Sequence, residues 1–231
     1  MAQKKVNAVI HSQEKLAEGI YSMWLDAPEM AKAAVPGQFI AVYTNDQSKL
    51  LPRPISICEA DKENGRLRIV YRIAGAGTKE FSAYKEGDTL DIMGPLGNGF
   101  PLKKKKAFLI GGGIGIPPML ELAKNLDCEK TAVIGYRDKE TFLADELRKY
   151  ADVVIATEDG SVGTKGNVID AIRAEKLTAD IIYACGPTPM LKALKTYAME
   201  NGIECYISLE EKMACGIGAC LGCVCHSKDI D

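Results

Sequence analysis

Histidine is almost absent from this chain of 231 residues, which contains only His11 and His226. Histidine is the side chain that enzymes use most often as a general acid or base. His11 falls on a predicted strand and His226 lies near the C-terminus, so we interpret both as surface residues. No other pattern in the chain indicates a substrate pocket with acid–base machinery.

An excess of charge and long apolar runs are lacking as well. The formal net charge of -2 predicts no affinity for nucleic acid or for a membrane surface. The one basic run, Lys103–Lys106, is explained by a solvated linker or the entry to a strand. No apolar span reaches bilayer length, and the N-terminus leads into no signal-peptide core. We therefore expect a cytoplasmic protein, where cysteines are metal ligands or buried thiols more often than disulfides.

Cysteine, by contrast, is concentrated near the C-terminus, where residues 213–225 hold four of the eight cysteines and three glycines. Cys215, Cys220 and Cys223 are spaced C-x4-C-x2-C, which is the spacing that wraps plant-type ferredoxins around a 2Fe–2S cluster. A zinc knuckle, a disulfide pair or a glycine-rich turn with incidental thiols are the alternatives. Zinc sites more often use C-x2-C pairs separated by a longer gap, so the spacing favours the cluster.

Residues 4–94 alternate short apolar strands with turns that contain glycine or proline. Repeated short strands of this kind predict a small antiparallel β-barrel. The stretch 78–84 differs, because Phe81 and Tyr84 are three residues apart and so indicate a short helix.

Two stretches of the predicted barrel are suited to a phosphorylated cofactor. In Arg53-Pro54-Ile55-Ser56 the fixed φ of proline holds an arginine fork, which suits phosphate oxygens, near a serine hydroxyl. In the second stretch, Val70-Tyr71-Arg72 runs into a turn that contains Gly77 and Thr78 before the predicted helix. Backbone N–H groups at such a helix start favour an anion. The alternative is a proline-interrupted edge strand followed by an ordinary glycine-rich turn.

The second half of the chain alternates strands with helices, which predicts a parallel sheet covered on both faces. The predicted elements include a helix over residues 141–150, a strand over 152–157 and a helix over 187–201 that Gly202 stops. An apolar strand, residues 107–110, leads into a turn containing Gly111, Gly112, Gly113 and Gly115, and a helix begins near Pro117. Another strand, residues 181–185, ends in Cys185-Gly186-Pro187. Ligands of open parallel sheets lie beyond the carboxyl ends of the strands, so we expect both turns to line one nucleotide crevice. A buried cysteine before a helix-starting proline is the alternative for the second turn.

The motifs in both halves resemble those of the ferredoxin–NADP reductase superfamily, in which a six-stranded barrel holds FAD. The resemblance implies that Arg53 contacts the FAD phosphates and that Ser56 lies near the reactive edge of the isoalloxazine. It implies that residues 70–72 line the flavin and that Gly77 and Thr78 bind the pyrophosphate. The Cys-Gly-Pro turn resembles the nicotinamide-side motif. Ile55 stands where the superfamily usually has a tyrosine against the ring.

The tail, Leu209 to Cys220, resembles one branch of that superfamily, the electron-transfer subunits of class 1B dihydroorotate dehydrogenases. This resemblance implies FAD, a 2Fe–2S cluster and NAD, the last favoured also by the carboxylates of Glu158 and Asp159. It implies a partner whose FMN oxidises dihydroorotate in pyrimidine synthesis, in an assembly of two catalytic and two electron-transfer subunits. A flavin–iron–sulfur subunit of a sulfide dehydrogenase or of a bifurcating NADH:ferredoxin enzyme is an alternative. A zinc- or thiol-based interaction protein is another.

The expected organisation is an FAD-binding barrel over residues 1–102, an NAD-binding α/β domain over 103–205 and a cluster-binding tail over 206–231. Members of the branch place a fourth cysteine about a dozen or more residues beyond the third ligand, as in the plant-type pattern. Here Cys225 is the nearby candidate. The sequence leaves open whether Cys225 takes that place, whether the chain is truncated, or whether the cluster is incomplete.

Overall fold

The computed structural model describes residues 5–46 and 48–224 and begins with a closed antiparallel barrel. Around the barrel its strands follow the order β1-β2-β5-β4-β3-β6. The elements of this half are β1 Lys5–Ala17, β2 Ile20–Asp26, α1 Pro28–Ala33, β3 Phe39–Val42, β4 Arg53–Asp61, β5 Arg66–Arg72, α2 Ala76–Phe81 and β6 Thr89–Leu96. The predicted antiparallel barrel is confirmed.

Strand β5 illustrates how the sequence pattern forms the barrel. Successive side chains of a strand point to opposite faces. Leu67, Ile69 and Tyr71 accordingly pack in the barrel core, whereas Val70 joins a second core shared with the other half of the molecule. One strand therefore supplies both the barrel interior and its interface.

The second half is a parallel sheet with strand order β10-β9-β8-β7-β11-β12. Its elements are β7 Ala107–Gly112, a 3₁₀ turn Gly113–Gly115, α3 Pro117–Asn125, β8 Lys130–Tyr136, α4 Ala144–Leu147, β9 Asp152–Thr157, β10 Thr164–Lys165, α5 Val168–Ala174, β11 Ile181–Cys185, α6 Thr188–Asn201 and β12 Glu204–Ser208. The chain order reverses between β7 and β11, and such a switch point is where open sheets bind ligands. The predicted parallel α/β architecture is confirmed.

Several elements differ from the sequence prediction. Helix α1 was not predicted; it begins with proline at its first turn and buries Met30 and Ala31 against the barrel. Strands β10 and β12 were also missed, the first because it has two residues and the second because it is a half-buried edge strand without an apolar run. The helix predicted over 141–150 is the four-residue α4, which begins only after Leu143, a residue with a left-handed φ of 65°.

The run Lys103–Lys106 connects the two halves as a strand entry whose charges are paired. Lys103 and Lys105 both contact Glu204, the first residue of β12. The other two lysines pair with Asp127 and Glu129. Within the residues that the structure describes, no helix is both long and apolar enough to cross a bilayer.

Candidate nucleotide crevice, flavin site and cysteine loop

A cavity of about 590 Å³ opens at the carboxyl ends of the parallel strands. Arg72 of the barrel and Glu210 of the tail close it from the side. Its full lining is Arg72, Gly112, Gly113, Ile114, Gly135, Tyr136, Arg137, Glu158, Gly166, Asn167, Val168, Ile169, Pro187, Pro189, Met190, Ala193 and Glu210. The cavity is therefore bounded by the barrel, the sheet and the tail together.

The two glycine-containing turns predicted to line one crevice are in direct contact. A Cβ built on Gly115 would lie 2.3 Å from the carbonyl oxygen of Cys185, and one on Gly112 would lie 3.0 Å from Cδ of Pro187. A Cβ on Gly186 would lie 3.0 Å from the backbone nitrogen of Gly112. Glycine is thus required because two backbones approach each other where β7 and β11 are neighbours. The geometry leaves the main chain of both turns open to a dinucleotide.

Cys185 itself is not part of the cavity lining. Its side chain is 1% exposed and belongs to the core cluster around the sheet. Burial raises the pKa of this thiol to about 12, so it stays protonated at neutral pH. Within the Cys-Gly-Pro turn it is therefore Pro187 whose side chain faces the crevice.

Sequence reasoning missed most of the polar residues of this cavity. Arg137 was missed although it follows the last residue of β8, a position that could have identified it, just as the position after β9 pointed to Glu158. Of the two carboxylates considered from the sequence, only Glu158 lines the cavity. Asp159 accepts a hydrogen bond from the backbone N–H of Ser161 within its own turn. Glu210 was missed because it follows β12, a strand that was not predicted.

The Arg53–Ser56 segment forms the start of β4 and alternates between the two faces of the barrel wall. Pro54 is exposed and Ser56 is half-buried, while Ile55 is 8% exposed and packs in the barrel core. The guanidinium of Arg53 lies against the start of α2, where a Cβ on Gly77 would be 2.1 Å from its Nε. The missing side chain of Gly77 therefore makes room for the arginine.

The turn before α2 is held by Thr78. Its hydroxyl oxygen accepts hydrogen bonds from the backbone N–H groups of Ala74 at 2.9 Å and Gly75 at 3.2 Å, and the hydroxyl donates to the Gly75 carbonyl. The threonine side chain thus shapes the turn, and anion contacts there would come from backbone N–H groups and from Arg53.

Of residues 70–72, only Arg72 has an exposed side chain. Tyr71 stacks on Tyr21 inside the barrel and donates its hydroxyl hydrogen to Gln13 at 2.7 Å. Val70 is 2% exposed in the core between the two halves. The expectation that all three residues line a flavin must therefore be corrected for the side chains of Val70 and Tyr71, which leave only their main chain for such a contact.

The cysteine loop, residues 213–224, is largely exposed, and several of its backbone N–H groups point at the sulfur of Cys215. The backbone N–H of Cys220 points at Cys215 Sγ over 3.5 Å, and this and further backbone donors lower the pKa of Cys215 to about 6. Cys223 is half-buried and Cys220 exposed. In residues 5–46 and 48–224, no three histidine, cysteine, aspartate or glutamate side chains are gathered closely enough to hold a metal ion. Cys225 lies outside the described residues.

The loop lies beside the barrel rim that carries Ser56. A Cβ on Gly216 would be 3.5 Å from Cδ1 of Leu96 and 3.9 Å from Cε2 of Phe39. Phe39 pairs across the barrel wall with Ser56 on one side and with Leu96 on the other. The barrel thus contributes to both sites, with Phe39 and Leu96 beside the cysteine loop and Arg72 in the crevice.

Known proteins match the sequence of this chain over nearly its whole length. Residues 7–100 match the oxidoreductase FAD-binding domain family, and residues 210–231 match the iron-sulfur cluster binding domain of dihydroorotate dehydrogenase B. The dihydroorotate dehydrogenase B (NAD(+)) electron transfer subunit of Bacillus velezensis is 41% identical over 99% of this chain and 92% of its own length. That of Bacillus caldolyticus is 42% identical over 94% of this chain and 87% of its own length.

This chain belongs to the family of dihydroorotate dehydrogenase B electron transfer subunits.

Solved structures extend the comparison. An NADH-dependent reduced ferredoxin-NADP oxidoreductase, solved for its flavin-based electron bifurcation, is 32% identical with a TM-score of 0.86 over 96% of this chain and 83% of its own. The ferredoxin reductase of carbazole 1,9a-dioxygenase, at 21% identity and a TM-score of 0.76 over 90% of this chain and 70% of its own, shares the fold. Electron transfer subunits are oxidoreductase components, and this chain is one of them.

The groups that the family implies can be tested against this chain's own residues. The stretch that matches the FAD-binding family contains the Arg53 cradle over Gly77, a cationic site beside free helix-start N–H groups, which fits a phosphate pair. The iron-sulfur match contains Cys215, Cys220, Cys223 and Cys225. A thiol acidified by backbone N–H groups fits a ligand that must bind as thiolate. Both donor sets suit their groups.

Proposed function

We propose that this chain carries electrons from the FMN of a catalytic subunit that oxidises dihydroorotate, through a 2Fe–2S cluster and FAD, to NAD. Bound FAD supplies the conversion between two-electron hydride transfer and one-electron transfer. The proposal includes an assembly of two catalytic and two electron-transfer subunits in the cytoplasm. It is carried by one observation: the same barrel contributes Arg72 to the crevice and packs Phe39 and Leu96 beside the cysteine loop.

Each part of the chain has a distinct task in this proposal. The turns at Gly111–Gly115 and Cys185–Pro187 bind the dinucleotide pyrophosphate and nicotinamide in the crevice, with Glu158 next to the ribose. Arg53 and the N–H groups at the start of α2 bind the FAD phosphates, and Ser56 lies at the flavin edge. Burial of the surrounding apolar side chains excludes water from the sheet side.

The cluster ligands in this proposal are Cys215, Cys220, Cys223 and Cys225. The test is to replace Cys225 with serine and measure iron and acid-labile sulfide per flavin. A ratio near two irons per flavin in the parent chain that falls in the variant supports Cys225 as the fourth ligand. Unchanged iron in the variant assigns that place to another group.

The FAD site is tested by replacing Arg53 with serine. Loss of charge-assisted hydrogen bonds to phosphate should weaken FAD binding roughly tenfold to a hundredfold, at about 1.5–3 kcal/mol. Flavin fluorescence on titration with FAD measures this. Arg66→Ser is the matched control, since Arg66 pairs with Asp26 on the barrel itself. Equal FAD affinity in the parent and the Arg53 variant would contradict the phosphate role.

The assembly is tested by mixing the chain with an FMN-containing dihydroorotate dehydrogenase catalytic subunit. NADH formation from NAD and dihydroorotate should require both components, and light scattering of the complex should give two copies of each. The structural similarity to a bifurcating reductase favours a second candidate, a subunit that delivers electrons from NADH toward ferredoxin. Ferredoxin reduction without any dihydroorotate-dependent activity would select that candidate.

A further inference from the structure

Arg68, in the middle of β5, is a buried charge between the barrel and the nucleotide domain. Its side chain is 5% exposed. Nε donates to Ser22 Oγ at 2.9 Å, and the two terminal nitrogens donate to the two carboxylate oxygens of Glu146 in α4. Because a guanidinium binds a carboxylate in this two-pronged way only at one orientation, the contact constrains angle as well as distance.

The ion pair belongs to an interdomain seam of alternating charges. Glu59 of the barrel lies 3.5 Å from Arg68 and 2.6 Å from Lys124 of α3. Next to it Glu121, 2% exposed, accepts a hydrogen bond from the backbone N–H of Ala60 at 3.0 Å. Removing one partner from such a set leaves an uncompensated buried charge, so the seam favours one arrangement of the two domains over others.

The outer face of β5 connects this seam to the crevice. Arg68, Val70 and Arg72 alternate on one side of the strand, and successive side chains on one side are separated by two residues. Val70 packs in the interdomain core, and Arg72 lines the cavity. Arg68 and Arg72 are therefore about 13 Å apart along one rigid strand.

The nucleotide domain is connected to the crevice from its own side of the seam. Glu146 follows Leu143, which is held at a left-handed φ of 65° and is buried. The preceding carbonyl, that of Phe142, accepts a hydrogen bond from the Tyr136 hydroxyl at 2.6 Å, and Tyr136 lines the cavity. A residue other than glycine keeps a left-handed φ only where its surroundings hold it there, so packing around Leu143 sets the position of α4.

We propose that Arg68 is a positioning residue: through Glu146 it sets the orientation of the nucleotide domain on the barrel, and so aligns a nicotinamide in the crevice with the flavin edge. This rests on the proposed function. Arg68 lies outside both the cavity lining and the contact between Arg53 and Gly77, so its loss should leave both binding affinities intact and slow the transfer between the cofactors. A misplacement of about 1 Å in a reacting pair can cost as much as a hundredfold in rate.

The test compares Arg68→Met with Arg66→Met, a control on the same strand that removes an ion pair with Asp26 inside the barrel. Stopped-flow reduction of the bound flavin by NADH should be slowed roughly tenfold to a hundredfold by the first change and left within about twofold by the second. FAD content and the NADH dissociation constant should be unchanged in both variants.

A second readout needs no cofactor. Amide hydrogen exchange at Ala60, whose N–H is hydrogen-bonded across the seam, should accelerate in the cofactor-free Arg68 variant and not in the Arg66 control. If Arg68→Met does not fold, Glu146→Gln keeps the arginine and its packing and should show the same changes to a smaller degree.

Flavin reduction at the parental rate in a folded Arg68 or Glu146 variant would overturn the proposal, as would equal slowing by the Arg66 control. A parent protein whose flavin NADH does not reduce would refute the proposed function instead. In that event the exchange at Ala60 still decides whether Arg68 fixes the domain orientation.

Discussion

The nucleotide crevice and the cysteine loop are both glycine-rich, yet their glycines answer different physical requirements. In the crevice, a side chain on Gly115 would strike the Cys185 carbonyl at 2.3 Å. In the loop, a Cβ on Gly218 would meet nothing within 4 Å, but its backbone has a φ of 77°. The crevice is specified by close packing between two strands, and the loop by local backbone conformation.

The same contrast holds for the thiols of the two regions. Cys185, beside the crevice, is buried and burial raises its pKa to about 12, whereas backbone N–H groups lower the pKa of the half-buried Cys215 to about 6. Burial in a packed region favours the neutral thiol, whereas backbone N–H groups that point at the sulfur favour the thiolate. Metal ligation requires the second state.

The largest difference between the two regions should come from replacing Cys220 of the cysteine loop with serine. Cys220 is a proposed cluster ligand, so its loss should reduce cluster iron to background. FAD content and flavin reduction by NADH should stay at the parental level. Iron and acid-labile sulfide per flavin measure the first, and stopped-flow absorbance the second. Cys205→Ser, a half-buried thiol of β12, is the control and should retain iron. Retained iron in the Cys220 variant would contradict the ligand assignment.

Replacing Gly115 with alanine should disrupt the nucleotide crevice. The added methyl must displace the end of β11, which should cost about 1–3 kcal/mol of unfolding free energy and weaken NADH binding. Denaturant unfolding and NADH titration measure both.

Gly202→Ala provides the control for that change. Gly202 follows α6 with a φ of 64°, lies outside the cavity lining, and an added Cβ would have nothing within 4 Å. We expect a cost of about 1–2 kcal/mol from backbone strain with little change in NADH affinity. Equal loss of NADH affinity in both variants would show that close approach of the two turns is not the reason for glycine at 115.

Alkylation of cofactor-free protein at several pH values should distinguish the thiols of Cys215 and Cys185. Because its pKa is lowered, Cys215 is thiolate above about pH 6, so its reaction with iodoacetamide should be half-maximal near that pH and fall below it. At pH 7 it should be about nine-tenths ionised, against a few per cent for an ordinary cysteine. Cys185 should not react in the folded state. Mass spectrometry of the digested protein follows each site, and a half-maximal rate near pH 8.5 for Cys215 would contradict the role of the backbone donors.

Much of the fold could be predicted because its signals are local. The strand over residues 152–157 and the helix that ends before Gly202 were predicted within one or two residues, from apolar runs and from a glycine with left-handed φ. Helix α4 and strand β12 could not be predicted in the same way. A left-handed Leu143 delays the start of α4, and β12 is defined by pairing with β11 rather than by its own composition.

The candidate sites divide along the same line. Gly112 and Pro187 were expected at one crevice because strand ends meet at one edge of a sheet, and the cavity brings them together. Glu210 and Arg72 reach that cavity from the tail and from the barrel, which no local pattern encodes. Residues 70–72 were expected to line a flavin, but alternation along β5 turns the side chains of Val70 and Tyr71 into packed cores and leaves their main chain for that contact.

By itself the sequence determined the order of the chain's chemistry: an arginine suited to phosphate in a barrel, glycine-rich turns after parallel strands, and cysteines spaced for a cluster. These are encoded by residue type and spacing, which act over a few positions. Only the tertiary structure decided how the parts face each other. The orientation depends on Arg68 meeting Glu146, 78 residues away in the chain, and on backbones that approach where a Cβ would not fit.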